Sequence, residues 1–157
     1  MWIRDRYKMM LQPDLIRLDC SVSKHTELFQ MVGKELEEKG YVTNQYLEAL
    51  LEREQRFPTG LKTRFLNIAL PHTDPEVIKE PFIFVVRNDK DLNMLQMGDN
   101  SDTPCQNFLF LGIKDPKSQV GLLAKLMEIF SQEEFVQNFA QIKDGSEMYE
   151  LLNQQLS

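Results

Sequence analysis

Two dense apolar runs constrain this chain more than anything else in it, PFIFVVR at 81–87 and CQNFLFLGI at 105–113. Each is rich in aromatic and branched residues and bounded by polar or turn-forming sequence, so each reads as a buried strand. Neither approaches the roughly 20 apolar residues of a membrane span. Ile16, Leu18, Cys20 and Val22 alternate with polar residues, as do Leu66, Ile68 and Leu70. Both segments predict strands of period two. A weaker strand is expected over Leu92 to Met97.

The remainder is spaced as helix. Ser23 is a candidate cap for a helix carrying Leu28, Met31, Val32 and Leu36, with Gly40 as its stop. A second helix starts near Thr43 or Asn44, carries Leu47, Leu50 and Leu51, and ends before Pro58. Thr73-Asp74-Pro75-Glu76 looks like a third helix start. Asp115-Pro116 opens a helix that presents Val120, Leu123, Leu126, Met127 and Phe130 on one face. Ser131 and Glu134 fit a capping box for the next, and Ser146 is the candidate cap of the last, which carries Met148, Leu151, Leu152 and Leu156. Strands and helices mix with few tight hairpins. The packing this implies is α/β (α+β mixed), a mixed sheet of four or five strands covered by helices.

No repeat, low-complexity tract or linker divides the 157 residues, so one domain is expected over 1–157. The formal net charge of −6 argues against a nucleic-acid partner, which is bound mainly through clustered Lys and Arg, but not against docking to one small basic protein. Cys20 and Cys105 are too few for a disulfide framework and form no CxxC pair, so they read as buried reduced thiols. The N-terminal MWIRDRYKMMLQ carries charges where a signal peptide needs an apolar core. A cytoplasmic location is expected. There is no GxGxxG, Walker or GxSxG motif, and no carboxylate or thiol stands at ligand spacing to either histidine. No nucleotide or metal cofactor is expected.

His72 is distinguished by its position. It follows a strand-like segment, Pro71 fixes the backbone before it, and a helix start follows at once. Backbone N–H groups at such a terminus suit a phosphate, and a neutral imidazole there is a nucleophile. Asp74 would repel a phosphoryl group unless its side chain turns away to cap. From spacing alone the favoured reading is a half-buried histidine that closes a strand. His25 reads as a plain surface residue. Arg53 flanks the apolar face of the second helix on the side of Tyr46 and Leu50, and its planar fork suits phosphate oxygens. The plainer reading pairs it with Glu52 or Glu54. Gln119, in a first helical turn, has a side-chain amide that could donate to an anion.

Taken together, LEREQRFPTG and NIALPHT resemble the active-site region of the fructose/mannitol-type enzyme IIA family of the bacterial phosphotransferase system. The resemblance runs from about Leu15 to Leu152. It matches His72 to the phosphorylated histidine, Arg53 to the arginine that contacts the phosphoryl group, and Pro58, Thr59 and Gly60 to a PTG turn. Where many members place a second histidine before an apolar LL pair, QVGLLAKL has Gln119. The segment between the PTG turn and IALPH is also longer than in mannitol-type members. Both features are most similar to the galactitol-type enzymes IIA.

The resemblance implies a mixed, mostly parallel five-stranded sheet flanked by helices. It implies a phosphocarrier that takes a phosphoryl group from phosphorylated HPr on His72 and passes it to a cysteine of an enzyme IIB, for uptake of a sugar or sugar alcohol such as galactitol. No cofactor is needed beyond the phosphohistidine itself, and the membrane is reached only through an enzyme IIC. Arg53 would steady the phosphoryl oxygens, and Thr59 and Gln119 are weaker candidates for phosphate binding. The alternative within the family is a nitrogen-type regulatory protein that uses the same histidine as a phosphorylation-dependent binding switch.

Overall fold

The computed structural model describes residues 3–156, and side chains from Tyr7 onward. Met1, Trp2 and Ser157, the ends of the expected domain, lie outside the described residues. Among the described residues five strands form one sheet: β1 (Leu11–Cys20), β2 (Gly60–Lys62), β3 (Asn67–Ala69), β4 (Phe82–Leu92) and β5 (Cys105–Gly112), in the order β1-β4-β5-β3-β2. The sheet is mixed, as expected. Its parallel share is smaller than expected, because β1/β4 and β3/β5 are parallel while β4/β5 and β2/β3 are antiparallel. Six α-helices accompany it among the described residues: α1 (Ile3–Met10), α2 (His25–Glu38), α3 (Tyr46–Arg56), α4 (Pro116–Phe130), α5 (Glu133–Gln141) and α6 (Gly145–Gln155). Among the described residues no helix is long and apolar enough to cross a membrane.

Period-two alternation in the two central strands sorts two kinds of side chain onto two faces. Phe82, Phe84, Val86, Phe108 and Phe110 pack with Leu28, Phe29, Val32 and Leu36 of α2 and with Tyr46 and Leu50 of α3. Ile83, Val85, Leu109 and Leu111 pack with side chains of α1, α4, α5 and α6. Both faces are therefore covered, and each fully buried Phe or Leu contributes about 1.5–3 kcal/mol. Arg87 fastens the C-terminal helices to the sheet. Its Nε donates to Asn107 Oδ1 at 2.8 Å, Nη2 to the Phe139 carbonyl at 2.6 Å, and Nη1 to the Ile142 carbonyl. Cys20 and Cys105 are buried free thiols, and burial pushes Cys105 up to about 12.

Several expected boundaries move for identifiable reasons. Ser23 does not cap α2; Glu27 reaches back instead, its carboxylate accepting from the N–H groups of Ser23 and Lys24 at 3.2 and 3.1 Å. Ser131 closes α4, donating to the Glu128 carbonyl at 2.6 Å, so α5 starts behind Gln132. Asp144, not Ser146, caps α6 by accepting from Glu147 N–H at 3.1 Å. Val120 and Met127 are 70% and 50% exposed, so the buried face of α4 is Leu122, Leu126, Ile129 and Phe130. The weaker strand at Leu92–Met97 is realised as the end of β4 plus isolated bridges at Leu95 and Gln96.

The largest departure lies just after His72. Pro75–Val77 make only a single 3-10 turn, and no α-helix starts there. Ile78 is already extended, bridged to Val42, and Thr43 N–H donates to the Val77 carbonyl at 3.0 Å. Pairing with the segment ahead of α3 captures the chain before a helical turn can propagate.

Candidate active site

Four separated segments converge on one open cavity of about 380 Å³. The last turn of α3 and the residues after it supply Arg53, Arg56, Phe57, Pro58 and Thr59. The end of the β3 segment supplies His72, the loop after β4 supplies Met97, Gly98 and Asn100, and α4 supplies Gln119 and Leu123. All four sequence candidates, His72, Arg53, Thr59 and Gln119, thus line the same cavity.

His72 is anchored on the sheet. Leu111 N–H of β5 donates to the Pro71 carbonyl at 2.9 Å, and His72 itself bridges Leu111 in parallel. The residue is 6% exposed, with Nδ1 2.6 Å from the Leu70 carbonyl oxygen. A carbonyl oxygen can only accept, so Nδ1 carries the proton and Nε2 keeps a free lone pair. Burial lowers the imidazole pKa below its ordinary 6.5; the Leu70 contact opposes this, Arg53 adds to it, and Asp74 opposes it. Burial thus favours the neutral ring, and the Leu70 carbonyl selects one tautomer, the state a nitrogen nucleophile needs. The helix terminus expected to supply donors beside it is absent. Asp74 makes no cap; it is exposed, and lines a separate small cavity behind Arg53 and Arg56.

The plainer reading of Arg53 does not hold. Glu52 pairs with Arg56 at 3.3 Å, and Glu54 turns inward to Thr59. The Arg53 guanidinium lies 4.7 Å over the Phe57 ring and donates from Nη1 to the Phe57 carbonyl at 3.2 Å. The stacked ring and the carbonyl set the plane of the fork and leave its other donors for a ligand. Arg56 lies 5.5 Å from the same ring, so two cations flank the cavity mouth. Thr59 is buried and its hydroxyl donates to Glu54 Oε1 at 2.6 Å, so that proton points away from any phosphoryl group. Gln119 uses its backbone N–H on the Asp115 carbonyl at 3.1 Å, which leaves the side-chain amide as its donor.

Gly60 explains how the 97–100 loop arrives. A Cβ there would stand 2.5 Å from the Leu95 carbonyl oxygen, so only glycine admits the close pairing of Gly60 N–H with Leu95 O (2.9 Å) and Met97 N–H with Gly60 O (2.7 Å). The chain then turns through Gly98 (φ +92°) and Asn100 (φ +59°), both left-handed. A non-glycine residue in that region beside a cavity carries local strain of a kind that gathers at functional sites. Reading the sequence missed Arg56, Phe57, Met97, Gly98, Asn100 and Leu123. Arg56 carried a signal in its three-residue spacing from Arg53 on one helix, and the loop carried one in the glycine and asparagine of MGDN.

Residues 9–155 match the model of the family described as "Phosphoenolpyruvate-dependent sugar phosphotransferase system, EIIA 2". The galactitol-specific EIIA component of Escherichia coli strain K12 is 28% identical over 122 residues, which cover 78% of this chain and 81% of the relative. The mannitol-specific enzyme IIA component of Staphylococcus aureus strain Mu50 is 27% identical over 143 residues, covering 90% and 93%. Among solved structures, the complex of enzyme IIA for mannitol with phosphorylated enzyme IIB, also from Escherichia coli, superposes with a TM-score of 0.74 at 18% identity. The match covers 90% of this chain and 97% of that one.

Proposed function

The chain belongs to the EIIA 2 family of the phosphoenolpyruvate-dependent sugar phosphotransferase system, and we propose that His72 is the residue that carries its phosphoryl group. The observation that carries this reading is the Nδ1 contact with Leu70, which leaves the Nε2 lone pair free in a cavity flanked by two guanidinium groups. Phosphorylated HPr is the donor and a cysteine of an enzyme IIB the acceptor. In the first transfer Nε2 forms a bond to phosphorus as the donor's nitrogen–phosphorus bond breaks and its electron pair stays with the donor. In the second the thiolate attacks phosphorus and Nε2 regains its lone pair. Charge spreads over the three oxygens in flight, so positioning and fixed positive charge are what the protein supplies. Arg53 holds those oxygens, Gln119 donates to them without titrating, and no metal or nucleotide takes part.

The surroundings suit a protein partner. Phe57, Met97, Val120 and Met127 are 54%, 38%, 70% and 50% exposed, and Leu123 continues the stripe between the last two. Large apolar side chains gathered around a cavity mark a docking face. Galactitol is the proposed transport substrate, supported by the galactitol-specific relatives and by Gln119 at the place of a second histidine.

Incubation with phosphoenolpyruvate, enzyme I and HPr should add one phosphoryl group by intact mass, stable in alkali and lost in acid. His72→Ala should stay folded and unlabelled, and His25→Ala should label normally. Label persisting on His72→Ala overturns the assignment. In a reconstituted system with enzymes IIB and IIC, phosphorylation of mannitol in preference to galactitol would overturn the substrate.

A further inference from the structure

We infer that Glu54 is a positioning residue for phosphoryl transfer, its buried carboxylate fixing Thr59 and, through Thr59 and Leu70, the orientation and tautomer of the His72 imidazole. The inference rests on the reading of His72 as the carrier and gives a role to the glutamate that follows Arg53 in the matched LEREQRFPTG segment.

Glu54 occupies an unexpected place for an acid. Tyr46, Leu50 and Glu54 fall four residues apart on the buried stripe of α3, and Glu54 is only 8% exposed. A leucine there would be buried without penalty, whereas an ionised carboxylate is stable only when its oxygens find donors. Both donors come from one residue. Thr59 N–H donates to Oε2 at 2.8 Å and Thr59 Oγ1 donates to Oε1 at 2.6 Å. A carboxylate is acceptor-only, so it takes both at once in a single orientation, and hydrogen bonds to a charged group are the stronger kind.

From Thr59 the connection continues through the backbone. The Thr59 carbonyl accepts Leu70 N–H at 3.1 Å, and the Leu70 carbonyl accepts from His72 Nδ1 at 2.6 Å. Leu70 is thus held on both its backbone polar groups, one facing the turn and the other facing the imidazole. Displacing Thr59 rotates Leu70, and the carbonyl that fixes the tautomer moves with it. Pro58 between Glu54 and Thr59 has no N–H to offer an alternative bond. Arg53, one residue earlier, faces the cavity, so adjacent residues of one helical turn divide the work. One presents charge to the ligand and the other sets the ring that attacks.

The test uses the full chain with ¹⁵N-labelled histidine, as wild type, Glu54→Leu and Glu54→Gln. Long-range proton–nitrogen spectra at pH 8 read the tautomer of His72, and single-turnover transfer from phosphorylated HPr is measured well below each protein's melting temperature. Wild type should show the Nδ1–H form alone. Glu54→Leu should lose that dominance and slow transfer about tenfold or more, since small displacements of a reacting group carry large rate penalties. Glu54→Gln keeps an acceptor for Thr59 N–H and should lie between, slowed at least about threefold. A merely structural role would lower the melting temperature of both variants and leave the His72 spectrum and the rate of the folded protein untouched. That result, with rates within about twofold of wild type, overturns the inference. Should Glu54→Leu fail to fold, Glu54→Gln decides alone. A wild type that takes no phosphoryl group from HPr would instead defeat the carrier reading, and the ring spectra would still decide whether Glu54 sets the tautomer.

Discussion

The two histidines of this protein make a natural experiment. Both are lowered in pKa by burial, and each lines a cavity of similar size, about 430 Å³ for His25 and about 380 Å³ for His72. The cavity of His25 lies between the first turn of α2 and the segment after β4, with Leu51, Pro58, Met94 and Leu95 in its wall and no lysine or arginine among the lining residues. The ring of His25 rests edge-on against Phe29, 5.3 Å between centroids. The ring of His72 is held by a carbonyl at Nδ1, and its residue shares a cavity with two arginines. Burial favours the neutral imidazole in either place. A fixed tautomer and fixed positive charge are what separate a candidate phosphoryl carrier from an aromatic neighbour.

Removing the charge should break the contrast most severely. Arg53→Ala should slow transfer to His72 by about 10²–10³, the usual loss for one preorganised donor, with little change in melting temperature. Arg53→Lys should not restore it, because an ammonium cannot reproduce the planar fork held over Phe57. Single-turnover rates within about twofold of wild type for either variant would reduce Arg53 to a surface residue.

Gln119 should matter less. Gln119→Ala should lower transfer about threefold to tenfold, in line with the loss of one neutral hydrogen bond, at every pH between 6 and 8.5. Gln119→His should stay active and gain a pH dependence near neutrality that wild type lacks. Coincident profiles for all three proteins would place Gln119 outside the working site although it lines the cavity.

The gentlest test compares the titrations themselves. Burial lowers both imidazole pKa values, so folding favours the neutral rings. That contribution to stability is present above pH 6.5, where the unfolded chain is also neutral, and is lost as pH falls through the lower folded values. Ring signals followed by NMR from pH 8 to 4 should give midpoints below 6.5 for both residues. The loss of stability on acidification should be smaller in His72→Ala and in His25→Ala alike, while only the first affects phosphorylation. A midpoint for His72 at or above 6.5 would contradict the burial seen here.

The sequence made the central strands legible because PFIFVVR and CQNFLFLGI leave few alternatives, and their alternation anticipates both covered faces. His72 stood out for a related reason, since a strand that ends in proline and histidine has a fixed end, but spacing favoured a plain half-buried histidine and only the resemblance of NIALPHT made it a candidate carrier. The helix expected after it was not realised, because pairing between Val42 and Ile78, far apart in sequence, overrides a local capping pattern. His25 read as a surface residue and is half-buried, through contact with a phenylalanine one turn away. Glu54, inside a charged run, was read only as a possible partner for Arg53, although its spacing from Tyr46 and Leu50 already placed it on the inward stripe. The 97–100 loop joins the site through backbone pairing with Gly60, which single-sequence periodicity does not report.

The dispersal of the cavity wall along the chain, from Arg53 to Leu123, has a consequence for timing. A ribosome releases the arginines and the histidine well before it releases Gln119, and the β5 strand that anchors Pro71 and His72 also emerges after them. Domains form largely as units once their long-range partners are present. Competence to be phosphorylated therefore arrives late in synthesis and all at once. On the reading of His72 as the carrier, a nascent or prematurely terminated chain that displays it without β5 and α4 lacks the Leu111 anchor and the Gln119 side of the cavity, and should not take a phosphoryl group.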